Sequence, residues 1–518
     1  MGERVHRSVM NIKVGMFFYV LSLFLAFFSR KIFLDCLGAE FIGLTGMLMN
    51  IMSFLSVAEL GIGTSIVYFL YKPLQEDNHE KINEVMSMLA FLYRCIGFII
   101  GSCGIIVSIF FPWWFGHLTT GLPLVYFAFY AFLASSVSGY VFNYKQLLVS
   151  ANQKQYLVNA YFQTIAIVQS IVQILLAYYY RNLWLWVIVG LIFTIIGIIV
   201  FNHRILQLHP WLRIDLKQGR QDLKRYPEIL RKTRQIFVLK IKDFILNRSD
   251  ELLVGAFVSV TKVAFYGNYT LIVNKFIYLV NILEDGMSAG IGNLLAEGNE
   301  KNVMKVFWEM MATRFFILGS VIFPLLLYIQ PFIACWVGAE YQLNTLIVYL
   351  LIFNLFLKLQ YSTIYIFVGS SGLYGDVWAS WAELIINLVV TLSFAPYFGI
   401  VGILLGKIAS VLIFNVFWKP YYLFTQGFHK SVWEFWRPMI IYYSLFGFYA
   451  LLALVLKYLF IDNQVDSWLR LIFLGIVITI PLLILYFLTL FFCTRGMKYF
   501  VARKPAIYQV LTRITFQK

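Results

Sequence analysis

The sequence predicts an all-α polytopic membrane protein with about fourteen transmembrane helices, and three observations lead to this fold class. The chain has 518 residues, of which 61% are hydrophobic and only 13% are charged, and its mean hydropathy is +0.79. Soluble domains are about half apolar and about a quarter charged. Apolar runs of about 20 residues, the length needed to cross a bilayer, recur along the chain. Lysine and arginine collect in alternate connections between these runs.

Each predicted helix is an apolar run bounded by polar residues or by glycine and proline. The first run leads into a charged block without a small-residue cleavage site, so we expect it to stay as the first span. The seventh run contains charges, and Pro396 and Gly399 separate the eleventh run from the twelfth. The fourteen spans lie near residues 11–32, 43–70, 86–112, 122–145, 156–180, 183–203, 236–257, 264–290, 306–330, 343–368, 376–396, 400–420, 437–460 and 468–492.

The basic residues predict the orientation of these spans. Of the 41 Lys and Arg residues, 29 lie in the two tails and in the even-numbered connections. The opposite connections hold four, namely Arg181, Lys262, Lys457 and Arg470. Because cytoplasmic connections are enriched in Lys and Arg, both termini are predicted to be cytoplasmic. The same rule accounts for the net charge of +16, so no nucleic-acid partner is predicted.

An internal repeat predicts how the spans are grouped. The regions that begin at Gly43 and Ala264 resemble each other at an offset of about 220 residues, and in each a long span ends in a short acidic and then basic loop. Such repeats are common in transporters. The basic connection between the repeats is interpreted as an anchor lying on anionic lipid or, alternatively, as a docking surface for enzymes. The predicted divisions are a six-helix lobe (1–205), a basic linker (206–235), a second six-helix lobe (236–420), a final helix pair (421–492) and a basic tail (493–518).

Several functional classes are disfavoured by what the sequence lacks. The predicted outer loops are about a dozen residues long, which leaves no room for the large outer domain of a membrane glycosyltransferase or polymerase. No motif for nucleotide phosphates, Ser-His-Asp catalysis or metal binding stands out, and the five cysteines form no CxxC pair. We therefore predict a transporter and no enzymatic activity, with no metal and no cofactor.

Charged residues inside the apolar runs are the candidates for a transport pathway, because a charge at membrane depth costs at least ~2.5–3.5 kcal/mol. Arg30 suits a phosphate group, since its planar fork can bind two oxygens. With Lys31, it could instead anchor the end of the first helix. Glu59 interrupts the second run and could gate, bind a coupling cation or take a proton; the alternative is a structural pair with an arginine.

Further candidates come from the seventh, eighth, tenth and eleventh runs. Arg248 and Asp250 could line the pathway or form an ion pair at a helix end. Lys275 shares a helical face with Asn268 and is predicted to lie at mid-membrane depth. The remaining candidates are the predicted ion pair Lys358–Glu383, which could also serve in ion coupling, and the predicted inner gate of Glu284 and Asp285.

Several runs, taken together and in order, resemble the bacterial polysaccharide flippases, the Wzx-like branch of the multidrug/oligosaccharidyl-lipid/polysaccharide exporter superfamily. The strongest segment extends from Arg30 to Leu74, and the resemblance continues along most of the chain. The residues that carry it are Arg30, Ile32, Leu34, 37–44, Asn50, 53–63, 71–74, Asp250, Tyr266, Asn268, Tyr269, Gly292, Asn293, 336–338, Glu383, Asn387 and 399–406.

The resemblance implies a MATE-like fold, with fourteen helices in two lobes around a central cavity, in the bacterial cytoplasmic membrane. It also implies alternating-access translocation of undecaprenyl-pyrophosphate-linked oligosaccharide for O-antigen, capsule or related polysaccharide. A polysaccharide polymerase would then be a partner, and Na⁺ or H⁺ coupling stays open. Lys407 departs from the family pattern, in which a small hydroxyl residue often follows the glycine, and is either a substrate contact or part of an ion pair. The runner-up function is a cation-coupled multidrug exporter of the MATE type.

Overall fold

The structure is a computed structural model of the full chain. It describes residues 2–59, 62–152, 154–225, 241, 245–246, 249–285, 291, 294–295, 297–373, 375–461 and 467–503. All regular elements within these ranges are helices. Contacts between Cα atoms divide the chain into two compact units, Met1–Gly267 and Asn268–Lys518. The predicted lobe boundaries stay a prediction.

The described part of the first unit contains eleven complete helices and the start of a twelfth. Helix α1 packs along α8, α4 packs against α6 and α10, and α2 packs against α6 and α11. The helices are α1 (Gly2–Leu37), α2 (Ala39–Leu55), α3 (Ile62–Gln75), α4 (His79–Ser108), α5 (Phe111–Phe115), α6 (Leu122–Asn143), α7 (Gln146–Ala151), α8 (Gln155–Tyr180), α9 (Leu183–Leu208), α10 (Leu216–Arg225), α11 (Asp250–Phe257) and α12 (Val260–Asp285), within which the unit boundary falls.

The second unit is organised around one long helix, α13 (Glu300–Trp336), which supplies many of the buried apolar side chains. At 1.5 Å per residue, its 37 residues extend about 55 Å, which exceeds the ~30 Å hydrocarbon core. The other helices are α14 (Thr345–Gln360), α15 (Ser362–Ser370), α16 (Val377–Phe398), α17 (Ile400–Val411), α18 (Lys419–Tyr422), α19 (Trp433–Phe460), α20 (Trp468–Leu474), α21 (Ile480–Cys493) and α22 (Arg495–Ala502). The π-helical segments Leu412–Trp418 and Gly475–Thr479 each join two consecutive helices into a longer one, and a third, Leu423–Gly427, extends α18.

Eleven helices in the described part of the chain are long and apolar enough to cross a membrane, so the predicted all-α polytopic membrane fold is confirmed. Five of them belong to the first unit and six to the second. The predicted second, seventh and eighth spans are not among the eleven, and the count of fourteen stays a prediction. Ten of the 22 residues of the predicted seventh span, 236–257, lie outside the described residues.

The predicted second span is not one continuous helix. Helix α2 ends at Leu55 and is followed by a 3₁₀ turn, Ser56–Glu59, before α3 begins at Ile62. The sequence around the break contains a glutamate and two glycines, Gly61 and Gly63, which are poor residues for a helix interior. Glu59, the charged residue of this apolar run, therefore lies at the break between α2 and α3.

The internal repeat is present in the backbone. The Asn78 side chain caps the start of α4 by accepting a hydrogen bond from the Lys81 amide at 3.0 Å. The Asn299 side chain caps the start of α13 by accepting one from the Asn302 amide at 3.1 Å. The residue before each cap, Asp77 or Gly298, has a left-handed φ, of 51° and 69° respectively. The paired positions are 221 residues apart, in agreement with the predicted offset of about 220.

Candidate functional site

Arg30 lies on α1 and is fixed by the first turns of α12. Its Nη2 donates a hydrogen bond to the Ala264 carbonyl oxygen at 2.9 Å. A Cβ atom added to Gly267 would lie 2.9 Å from the same nitrogen, so this glycine makes room for the guanidinium. Arg30 therefore contacts another predicted span directly, which a residue serving only as an interfacial anchor does not require. The resemblance had selected Tyr266 and Asn268, the two neighbours of this glycine.

Glu59 is bound by a tyrosine. The Tyr93 hydroxyl on α4 donates to Glu59 Oε1 at 2.8 Å, and the Tyr140 ring from α6 lies 6.0 Å from the Tyr93 ring. No basic side chain of the described residues lies within 4 Å of the carboxylate, so the structure shows a tyrosine partner for Glu59 in this part of the chain and no arginine partner. The half-buried carboxylate is thus held by a neutral donor, an arrangement in which it can take up a cation or a proton.

Two acids of α11 also have neutral partners. The Tyr266 hydroxyl donates to Asp250 Oδ2 at 3.1 Å, and Asn50 Nδ2 on α2 donates to Glu251 Oε2 at 2.6 Å. We call Asn50, Asp250, Glu251 and Tyr266 the α2–α11 polar cluster. The predicted partner Arg248 lies outside the described residues. Asn50 was recognised only as part of the family resemblance, and its contact with Glu251 spans 201 residues, a separation that no local pattern reveals.

The second unit has a cavity beside one of the predicted cations. Lys358, in the last turn of α14, lines a cavity of about 360 Å³ together with Ile277, Tyr361 and Tyr365. Lys275 lies two residues before Ile277 on α12 and is half-buried. Lys407 is half-buried on α17. The side chains of Glu284 and Asp285, the predicted inner gate, lie outside the described residues.

Glu383 on α16 is buried, with 6% of its surface exposed, and accepts a hydrogen bond from Asn415 Nδ2 at 3.1 Å. Its predicted ion pair with Lys358 stays a prediction. Close packing of α16 and α17 holds this region together, because a Cβ added to Gly402 or Gly406 would collide with the neighbouring helix. Two glycines four residues apart at a close helix contact form a GxxxG packing motif.

A buried ion pair in the second unit was missed by the sequence analysis. Lys419 Nζ lies 2.7 Å from Asp376 Oδ2, and the exposed fractions of the two side chains are only 8% and 7%. Trp418 Nε1 donates to the same carboxylate oxygen at 3.2 Å, and the ammonium lies 5.1 Å from the centre of the Tyr365 ring. Since Tyr365 also lines the Lys358 cavity, the pair forms part of the packing behind that cavity. The two residues are at predicted span ends, where a charge gives no signal.

The chemistry of these sites is that of binding charged groups. The described residues contain no cluster of three or more His, Cys, Asp or Glu side chains that could hold a metal ion. What they provide is a set of cations and acids within apolar segments, and the partners seen for Arg30 and for four of the acids are carbonyl, tyrosine or asparagine groups. Such intramembrane charges usually mark a pathway.

Comparison with protein-family models and with curated protein sequences gives no match. Comparison with solved structures does. The fold is similar to that of a lipid II flippase, MurJ, in an inward closed conformation, with a TM-score of 0.67 and 15% sequence identity, over 92% of this chain and 98% of that chain. It is also similar to an inward-facing multidrug resistance MATE family transporter of the MOP superfamily, with a TM-score of 0.55 and 15% identity, over 79% of this chain and 97% of that one. The predicted MATE-like fold is confirmed.

Proposed function

We propose that this chain is a flippase that translocates an undecaprenyl-pyrophosphate-linked oligosaccharide from the inner to the outer face of the bacterial cytoplasmic membrane. The observation that carries the proposal is the fold, which follows that of a lipid II flippase over 92% of the chain. The sequence resemblance to polysaccharide flippases points in the same direction. O-antigen, capsule or a related surface polysaccharide is the product we expect, and an associated polymerase is the partner we expect.

The proposed substrate explains the cations on the membrane helices. A pyrophosphate that crosses the ~30 Å hydrocarbon core without partners would cost tens of kcal/mol in Born terms. Arg30 is the residue that we assign to the phosphates, because a guanidinium can bind two oxygens at once. The Ala264 carbonyl holds this guanidinium in position. Lys275 and Lys407 are assigned as further contacts in the second unit.

Glu59 suits ion coupling rather than substrate binding. It accepts a hydrogen bond from the Tyr93 hydroxyl, and no basic side chain of the described residues lies within 4 Å of its carboxylate. A carboxylate with a neutral partner can exchange a proton or Na⁺ without first breaking a salt bridge. We propose that this exchange biases an alternating-access cycle. The coupling ion is distinguished by transport in a pH gradient against transport in a Na⁺ gradient.

The test is flipping by the purified protein in liposomes. A fluorescent polyprenyl-pyrophosphate-linked sugar is supplied on both faces, and the fraction protected from an impermeant quencher is followed with time. Arg30→Ala is expected to slow flipping at least tenfold, and Arg30→Lys, which keeps the charge but not the fork, less. Arg181→Ala, which removes an exposed cation in the connection from α8 to α9, is the matched control.

Two outcomes would contradict the proposal. The first is normal flipping by a folded Arg30→Ala protein, which would remove Arg30 from the pathway. The second is the absence of flipping by the wild-type protein with any lipid-linked sugar, together with efflux of an organic cation that is driven by a Na⁺ or H⁺ gradient. That result would favour the runner-up, a cation-coupled MATE-type exporter, for which the likeness to the MATE transporter is the supporting observation.

A further inference from the structure

A second cavity in the second unit lies at the far ends of helices that the pathway argument does not use. It has a volume of about 520 Å³ and is formed by the start of α14, the end of α19 and the start of α20. On the predicted orientation these helix ends face the outside of the cell. The lining residues are Thr345, Tyr349, Leu454, Lys457, Tyr458, Leu459, Phe460, Ile461 and Arg470.

The charged residues of this lining are both cations. Lys457 and Arg470 are two of only four Lys or Arg residues that the sequence places in outer connections, yet they converge on one cavity. The convergence brings together two positive charges that are thirteen positions apart in the chain. Thr345 adds a hydroxyl group to the same wall. The cavity therefore presents donors and positive charge, which suit an anion.

Lys457 is unusual for a residue at the end of a membrane helix. Its exposed fraction is 7%, so it does not extend into solvent or the lipid interface as an anchoring lysine does. Its Nζ lies 5.6 Å from the centre of the Tyr349 ring, and no carboxylate of the described residues is within 4 Å of it. A buried ammonium without an acid is costly. An anion in the cavity would offset that cost.

The surroundings indicate that the anion belongs to a lipid. Tyr458 and Leu469, which flank the two cations in sequence, are 89% and 81% exposed, and Trp468 and Phe460 are also exposed. Exposed aromatic residues at helix ends are typical of the headgroup region of a bilayer. A cationic cavity at this level lies where the phosphates of lipid headgroups lie.

We propose that this cavity, the Lys457–Arg470 pocket, binds the phosphate group of a membrane lipid in the outer leaflet. The buried ammonium of Lys457 provides a fixed point charge, and the exposed Arg470 closes on the phosphate with its guanidinium fork. The phosphate could come from a phospholipid or from a polyprenyl pyrophosphate. The proposal does not depend on the proposed function, since binding at this pocket requires no transport.

The test is a calorimetric titration of the protein in a maltoside detergent, which contains no phosphate. The probes are dioctanoyl phosphatidylglycerol, farnesyl pyrophosphate, inorganic pyrophosphate and dioctanoylglycerol. We expect one molecule of each phosphate-bearing lipid to bind. The double variant Lys457→Gln/Arg470→Gln should weaken this binding at least tenfold, and Arg470→Gln alone, which changes an exposed residue, should weaken it severalfold.

The control variant removes the other two outer cations. Arg181→Gln/Lys262→Gln lowers the net charge by the same amount and should leave binding unchanged.

Equal affinity for the two lipids would assign the pocket to phospholipids in general, and tenfold tighter binding of farnesyl pyrophosphate would assign it to polyprenyl pyrophosphates. Binding of dioctanoylglycerol or of inorganic pyrophosphate as tight as that of the phosphate-bearing lipids would overturn the proposal. So would unchanged binding by the Lys457/Arg470 variant. Flipping by Arg30→Ala is a separate measurement, so failure of one proposal leaves the other intact.

Discussion

At the scale of single residues, two kinds of buried charge occur in this protein. Glu59 and the acids of the α2–α11 polar cluster are paired with neutral hydroxyl or amide groups. Asp376 is instead paired with Lys419 at 2.7 Å. No basic side chain of the described residues lies within 4 Å of Glu59, so no such neighbour cancels its charge, whereas Lys419 cancels the charge of Asp376. We therefore propose a functional role for Glu59 and a structural role for the Asp376–Lys419 pair.

The structural assignment predicts the outcome of a double-mutant cycle. Asp376→Asn and Lys419→Met should each lower the free energy of unfolding by about 3–5 kcal/mol, because each leaves one buried charge unpaired. The double variant should lose much less than the sum of the two. Unfolding is measured by denaturant titration in mixed micelles, with flipping measured on the same preparations.

The exposed pair Lys430–Glu300, at 3.8 Å, supplies the control for this cycle. Lys430→Met should cost only about 0–1 kcal/mol, as surface ion pairs usually do. Strictly additive losses at Asp376 and Lys419, or losses as small as that of the control, would show that the buried pair is not the stabilising unit.

The sequence reveals the charged residues of the candidate site but not their contacts. A charge inside an apolar run is visible without a structure, and this is how Arg30, Glu59 and Lys275 were selected. The partners of Arg30 and Glu59 are not visible in the sequence, because Ala264 and Tyr93 come from other parts of the chain. Lys419 and Lys457 were counted as ordinary residues of span ends, since only the fold shows that they are buried.

At the scale of elements, two short helices pack at corresponding positions on α4 and α13, the helices that begin at the two asparagine caps. Helix α10, after the first repeat, packs on α4, and α22, after the last span, packs on α13. In both contacts a glycine meets a backbone carbonyl, Gly219 at Ser87 and Gly496 at Trp308. Ser87 and Trp308 are 221 residues apart, the same offset as the asparagine caps.

Side-chain contacts hold each of these helices in place. Ahead of α10, the Trp211 ring stacks on His79 at 3.9 Å, and the Asp215 amide donates to Ser87 Oγ at 3.1 Å. Burial, together with the nearby charges of Lys154 and His79, lowers the pKa of His209 at this contact below its usual 6.5. At α22, Arg503 pairs with the buried Glu309 at 2.6 Å. The basic connection is thus docked on its own unit, a feature that its composition alone did not indicate.

The glycine contacts predict that replacing Gly219 or Gly496 with alanine weakens the packing of α10 on α4 or of α22 on α13. Alanine normally favours a helix over glycine by about 0.5–1 kcal/mol. At Gly219 and Gly496 the collision with a carbonyl should outweigh this gain and destabilise the docking by about 1–3 kcal/mol. Tryptic cleavage at Arg220 should then be faster in Gly219→Ala, and cleavage at Lys498 faster in Gly496→Ala.

Gly447 serves as the matched control for these substitutions, because an added Cβ there meets nothing within 4 Å. Gly447→Ala should leave both cleavage rates unchanged. Protection of α10 and α22 in the two test variants at the wild-type level would mean that these glycines do not position the helices.

At the scale of the whole molecule, the described residues contain eleven of the fourteen predicted spans, and the three others share a physical feature. The composition and the recurring apolar runs were sufficient to predict a helical membrane protein, and the MATE-like fold was implied by the family resemblance. The second run breaks at Glu59, and α12 carries charges at Lys262, Lys275, Glu284 and Asp285. Each of these would cost at least ~2.5 kcal/mol at mid-membrane depth if it lacked partners. The spans that are hardest to count are therefore those that carry the candidate functional residues.

The span count can be tested through the two termini. An even number of spans, such as fourteen, places both termini on one face, whereas an odd number such as eleven places them on opposite faces. We expect both to be cytoplasmic, because the basic residues of both tails follow the positive-inside rule. All five cysteines are free thiols, so replacing them gives a background for labelling with an impermeant maleimide.

In that background, Ser8→Cys and Thr515→Cys should react only after the cells are permeabilised, as should the exposed linker position Gln218→Cys. Arg181→Cys, in a predicted outer connection, should react in intact cells. Labelling of only one terminus in intact cells would show that one of the charged runs does not cross. If that run were α12, the Arg30–Ala264 contact would then hold α1 against a helix outside the hydrocarbon core, and the pathway role of Arg30 would be lost with it. The orientation of two polar tails thus decides whether the most informative charge in the sequence can meet a substrate inside the membrane.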